Sequence, residues 1–177
     1  MRAFVAVEIP SSLGESSRVR APEHLTLLFL GETPTERVGA IVEALTPLGA
    51  AVAPFDLTLE GVGAFPSPER PRVVWVGATE GAAELNRLAA LVRKALTAPA
   101  GTTHEETFLP HLTLFRVRSV ADRRRAEELL TGRLPPPAPR QVRVREFVLK
   151  ESELSSRGAT HRTVATFPLS SASPDRV

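Results

Sequence analysis

The string His-Leu-Thr-Leu occurs twice, as His24-Leu25-Thr26-Leu27 and as His111-Leu112-Thr113-Leu114. Both copies lie in apolar runs that predict β-strands. Successive strand side chains point to opposite faces, so in each copy His and Thr share one face and the leucines share the other. With the leucines buried, two such strands brought together would converge two imidazoles and two hydroxyls on one cleft. Imidazole titrates near pH 6.5, so a neutral and a protonated ring can divide the work of moving protons at neutral pH. A third match, His161-Arg162-Thr163, has arginine in place of leucine and lies in a more polar run, so it is read as coincidental.

The elements that must position these strands follow an irregular order. An alternating N-terminal strand over residues 1–10 leads through a polar stretch, 11–21, to Pro22 and the first motif strand, about 23–30, which Gly31 closes. Thr33-Pro34 has the form of an N-cap with proline at the first helical position, and Val38, Ile41, Val42 and Leu45 recur at helical spacing, predicting a helix over 34–48. Residues 55–62 and 72–76 alternate as strands on either side of Pro66, Pro68 and Pro71, which predicts an antiparallel hairpin. A second helix is expected over 81–96, from Ala82, Leu85, Leu88, Ala89, Val92 and Leu96, before Pro110 opens the second motif strand. A short helix over 121–130 places Arg123, Arg124 and Arg125 on a solvated face. The proline run 135–139 is a stiff spacer. Strands over 142–150 and 161–169, joined by a polar turn at 151–159, complete the chain, and the tail from 170 is expected to fray. This order lacks the regular βα alternation of a doubly wound sheet. It predicts an α+β fold, one two-lobed domain over 1–177 whose halves each supply one motif.

Composition narrows the function. There is no cysteine, which excludes disulfides and thiolate metal sites. The N-terminus is too short and too acidic for a signal peptide, and no apolar run approaches the ~20 residues of a membrane helix, so a soluble, cytoplasmic protein is expected. Net charge is only +2, yet all but Lys94 and Lys150 of the 22 basic residues are arginine, the side chain whose planar fork suits phosphate. Genomic base composition accounts for most of those arginines. Aromatics are scarce, which argues against an extensive base-stacking surface. Two histidines without a third clustered ligand fall short of a zinc site, and His104 with Glu105 and Glu106 is read as a solvated loop.

The paired motif strands resemble those of the two-histidine phosphoesterase superfamily, and more narrowly the RNA 2′,3′-cyclic phosphodiesterases, historically called 2′-5′ RNA ligases. Further landmarks carry the likeness across nearly the whole chain: Arg2-Ala3-Phe4-Val5-Ala6-Val7, Phe29-Leu30-Gly31-Glu32, Gly63-Ala64-Phe65-Pro66-Ser67-Pro68, Pro71-Arg72-Val73-Val74-Trp75-Val76 and Phe108-Leu109-Pro110-His111. Three features depart from the family. The segment between Pro10 and His24 is short, Leu109 replaces a commonly basic residue, and His161 stands where the family usually has tyrosine.

The resemblance implies two antiparallel sheets related by a pseudo-twofold axis, with helices outside and a cleft between them. It implies hydrolysis of RNA 2′,3′-cyclic phosphate ends to 2′-phosphates, with His24 as the acid protonating the departing O3′ and His111 as the base activating water. Thr26 and Thr113 would donate hydroxyl hydrogen bonds to the phosphate oxygens. Arg116 matches a family arginine near the phosphate. Strict alternation puts it on the opposite face from His111, so it reaches the cleft only if the strand bulges. Phe29 and Phe115 are read as core. No cofactor and no metal are expected, the expected partner is RNA or a cyclic nucleotide with no membrane, and the expected form is a monomer. Run backward, the same groups would ligate a cyclic phosphate end to a 5′-hydroxyl. Two alternatives stand beside this reading: a non-catalytic module holding RNA ends, and the same chemistry on a small cyclic phosphate or an ADP-ribose derivative.

Overall fold

A computed structural model describes residues 1–10, 24–97, 108–155 and 158–170. Its elements run β1 (Arg2–Glu8), β2 (His24–Glu32), a 3-10 turn (Thr35–Arg37), α1 (Val38–Ala51), β3 (Phe55–Phe65), β4 (Val73–Ala78), α2 (Ala82–Leu96), β5 (His111–Arg116), α3 (Val120–Leu130), β6 (Arg140–Val144), β7 (Glu146–Ser155) and β8 (Gly158–Pro168). Among the described residues these strands form two four-stranded sheets, ordered β2-β1-β7-β8 and β5-β4-β3-β6. Every pairing in both is antiparallel. The α+β, two-sheet expectation holds. The shortened 11–22 segment, the His104-Glu105-Glu106 run and the tail after 170 lie outside the described residues.

One apolar core binds the two sheets. Ala3, Val5 and Val7 of β1 and Leu25 and Leu27 of β2 pack with Leu57 and Leu59 of β3, Val76 of β4 and Leu112 of β5. Ile41 and Leu45 of α1 and Leu85, Leu88, Val92 and Leu96 of α2 close over them, so both helices lie on the side away from the motif histidines. The strand β1 is buried on both faces because it is central: its alternate residues Phe4 and Ala6 form a second small cluster with Val148 of β7.

Local chemistry explains most boundaries, with three corrections. The Thr33-Pro34 cap does not form. The Thr33 hydroxyl donates instead to the Gly31 carbonyl at 3.2 Å, a 3-10 turn intervenes, and α1 runs on through Pro47 to Ala51. The cap that does form is at α3, where the Ser119 hydroxyl accepts from the Asp122 N–H at 3.1 Å and the Asp122 carboxylate accepts from the N–H groups of Arg118 and Ser119. The strand expected over 142–150 is two strands: β6 ends at Val144 in one sheet, β7 starts at Glu146 in the other, and Arg145 alone joins them. The polar turn expected at 151–159 is mostly hairpin, with β7 and β8 paired from Glu146↔Pro168 to Ser155↔Gly158.

Candidate active site

Both motif strands are sheet edges, and both begin at their histidine. On β2, His24 lies opposite Glu8 and Thr26 opposite Ala6; on β5, His111 lies opposite Gly77 and Thr113 opposite Trp75. Immediately after each threonine the ladder slips by one residue. The register passes from Ala6↔Thr26 to Val5↔Leu28, leaving Leu27 as the extra residue, and from Trp75↔Thr113 to Val74↔Phe115, leaving Leu114. An extra residue reverses the facing of everything after it. Arg116 therefore lies opposite Val73, on the same face as Trp75 and Thr113, as the bulge expectation required. The matching slip in β2 brings Phe29 opposite Phe4, on the face of His24 and Thr26.

These faces line one cleft of about 610 Å³, which contains His24, Thr26, His111, Thr113 and Arg116. All five candidate residues are thus brought together. Phe29 corrects the sequence reading: it is 64% exposed and lines the cleft, while Phe115 is partly buried beneath the Arg125 guanidinium, 5.1 Å from its ring centroid. The position equivalent to Arg116, five residues after the histidine, was the signal that could have marked Phe29. His161 is a second correction, since the match read as coincidental lines the same cleft. Three strand intervals of about 4.8 Å would hold β2 and β8 some 14 Å apart in a flat sheet. The sheet curls so far that the His24 and His161 rings meet edge to face at 4.9 Å.

The two motif histidines have different surroundings. His24 packs against Phe4 at 5.0 Å and His161 at 4.9 Å. Behind it, the buried Lys150 ammonium pairs with the Glu8 carboxylate and donates to the Thr163 hydroxyl at 3.3 Å. Burial, then the neighbouring His161 and Lys150, push the His24 pKa down to about 4, with Glu8 pulling the other way. His161 is also lowered, by burial and by Lys150. His111 stands between Phe65, edge-on at 4.9 Å, and Trp75 at 6.1 Å. Gly63 makes room for that indole, because a Cβ there would lie 2.2 Å from the Trp75 ring. The His111 Nδ1–H donates to the Leu109 carbonyl at 2.7 Å. A carbonyl can only accept, so the proton sits on Nδ1 and the neutral ring keeps its lone pair on Nε2. Burial lowers the His111 pKa, the Leu109 hydrogen bond opposes that, and Arg116 adds to it.

Two edge strands with matched bulges, each presenting a histidine and a threonine to a shared cleft, define a duplicated His/Thr site. The chain belongs to the 2′-5′ RNA ligase superfamily, whose sequence model matches residues 3–154. It is 37% identical to the RNA 2′,3′-cyclic phosphodiesterase of Archaeoglobus fulgidus, over 94% of this chain and 99% of that one. With the enzyme of the same description from Aeropyrum pernix it shares 34% identity over 87% of this chain and 85% of the relative. Among solved structures, a Thermus thermophilus protein matches with a TM-score of 0.75 at 28% identity, covering 97% of this chain and 100% of that one. E. coli LigT crystallised with 3′-AMP matches with a TM-score of 0.70 at 25% identity, over 95% and 97% of the two chains. The described residues contain no helix long and apolar enough to cross a membrane.

Proposed function

We propose that this protein hydrolyses RNA 2′,3′-cyclic phosphate ends to 2′-phosphomonoesters by paired-histidine acid–base catalysis, without a metal. The observation that carries the reading is the convergence of both His/Thr pairs and Arg116 on one cleft, with Arg116 turned into it by the Leu114 bulge. The names of the relatives and the nucleotide bound to LigT support the substrate class.

The cyclic phosphate sits between the histidines. His111, its Nδ1–H held by Leu109, takes a proton from water through Nε2, and the hydroxide attacks phosphorus. His24 delivers a proton to the departing O3′, leaving phosphate on O2′. Each proton transfer contributes typically 10²–10⁴-fold. Thr26 and Thr113 donate to the non-bridging oxygens, and the Arg116 fork offsets the charge that accumulates on them. Phe29 offers its exposed ring to the base. Burial and the neighbouring His161 and Lys150 keep the free His24 ring neutral at pH 7, and the negative charge of the bound phosphate favours its protonated form. Reversal of these steps joins a cyclic phosphate end to a 5′-hydroxyl. The protein acts as a monomeric, single two-lobed unit in the cytoplasm.

The test is incubation with RNA ending in a 2′,3′-cyclic phosphate in the presence of EDTA, with the product identified by ³¹P NMR. A 2′-phosphate is expected. A 3′-phosphate would reverse the leaving oxygen, and tight binding without turnover would leave an RNA-end-binding module in place of an enzyme.

A further inference from the structure

The cleft floor carries donors that the paired histidines do not use. Arg2 pairs with Ser152 across β1 and β7, and Ser152 pairs with His161 across β7 and β8. Directly opposed side chains on one sheet face stand about 5 Å apart, and all three of these line the cleft. Each is a donor: a guanidinium fork, a hydroxyl and a ring N–H. Elsewhere on the same sheet face the charges cancel, because the Lys150 ammonium is paired with Glu8. The Arg2 row is different. Among the described residues its one ion pair sets Arg2 Nε 3.6 Å from Glu32 Oε1 with both side chains largely exposed, and such pairs are weak. Among the described residues lining the cleft there are arginines and no carboxylate. A row of donors with spare positive charge, touching His24 through the His161 ring, suits a second anion beside the reacting one.

Resting on the phosphodiesterase reading, we propose that Arg2, Ser152 and His161 form a subsite for the 5′-phosphate of the terminal nucleotide, the group through which an RNA strand continues. The connectivity of the substrate supports this placement. The O3′ that His24 protonates belongs to the terminal ribose, so that ribose and its C5′ lie on the His24 side of the cleft, with the next phosphate one bond beyond O5′. The subsite lets the protein tell a strand end from a free cyclic nucleoside phosphate. It adds no chemistry; it holds the strand.

Rates on adenosine 2′,3′-cyclic phosphate, on the same compound carrying a 5′-phosphate, and on the dinucleotide ApA with a 2′,3′-cyclic end test the idea. The native protein should favour the two 5′-linked compounds by about tenfold in kcat/KM, mostly through KM, as expected for a charge-assisted contact. Arg2→Gln should bring that ratio close to one, and Ser152→Ala should lower it by about threefold. Glu32→Gln removes the competing carboxylate and should raise it, a sign that simple loss of structure would not produce. Equal rates on all three compounds in the native protein, or variants that slow all three in proportion, would overturn the subsite while leaving the phosphodiesterase reading intact. Absence of turnover on every compound would overturn both.

Discussion

The two sheets repeat one backbone device and fill it with different side chains. Each motif strand is an edge, presents His and Thr to the cleft, and slips by one residue just after the threonine. Five residues past the histidine, the slip turns Arg116 inward in one lobe and Phe29 inward in the other. The histidines diverge in the same way. His111 is tied through Nδ1 to a carbonyl, whereas His24 faces a third imidazole and a buried ammonium. Backbone symmetry places two imidazoles on one cleft. Under the proposed mechanism, side-chain asymmetry is what would give them different jobs, because two imidazoles in identical surroundings would titrate alike and neither would be favoured as acid or base.

The most damaging way to break the comparison is to remove either histidine. His24→Ala and His111→Ala should each lower kcat by 10²–10⁴, and the double variant should fall little further, since the pair acts as a unit. Initial rates on a cyclic phosphate RNA end, with circular dichroism to confirm folding, decide it. Full activity in either single variant would refute the mechanism. The two bulge-placed residues come next. Arg116→Gln should cost about tenfold or more in kcat/KM through the reacting phosphate. Phe29→Ala should act mainly on KM, by roughly fivefold or more from lost stacking, and equal losses in kcat for both would erase the proposed division.

Titration sharpens the contrast further. NMR of the free protein should show His24 neutral until about pH 4 and His111 titrating below its ordinary 6.5, and a bound nucleotide phosphate should raise His24 with net proton uptake. Both folded values lie below the unfolded one, so the unfolded chain takes up protons first as pH falls. The contribution of these groups to stability is therefore intact above about 6.5 and is lost on acidification toward 4, and thermal melts across that range check the sign. The smallest expected change is from Lys150→Met, which removes a cation near His24 and leaves Glu8 unpaired. Both effects should move the His24 pKa upward while His111 stays where it is.

How much of this was legible depends on what alternation can encode. The leucines at 25, 27 and 112 are buried and their histidines face the cleft, as period-two alternation demands. An extra residue in a ladder leaves no mark in that pattern. Arg116 is recoverable because the family match requires a bulge, whereas strict alternation from His24 places Phe29 on the opposite face and gives no sign that it lines the cleft. The break at Arg145 was hidden for a related reason: residues 142–150 keep strand character with neither glycine nor proline to interrupt them, and only partner choice divides the run. The polar run around His161 gives no sign of the cleft, because the curl of the sheet decides where its ring lies. Tertiary geometry of that kind is not written in any local window.

That break at Arg145 has a mechanical consequence. The bridge from β6 to β7 is one residue long, and its carbonyl also accepts from the Leu169 N–H at 2.7 Å, so both strands and the end of β8 are fastened at one point. The sheets meet there like the covers of a book along its spine. That one-residue junction and the shared apolar core together hold the two sheets, and with them the two motif strands, side by side.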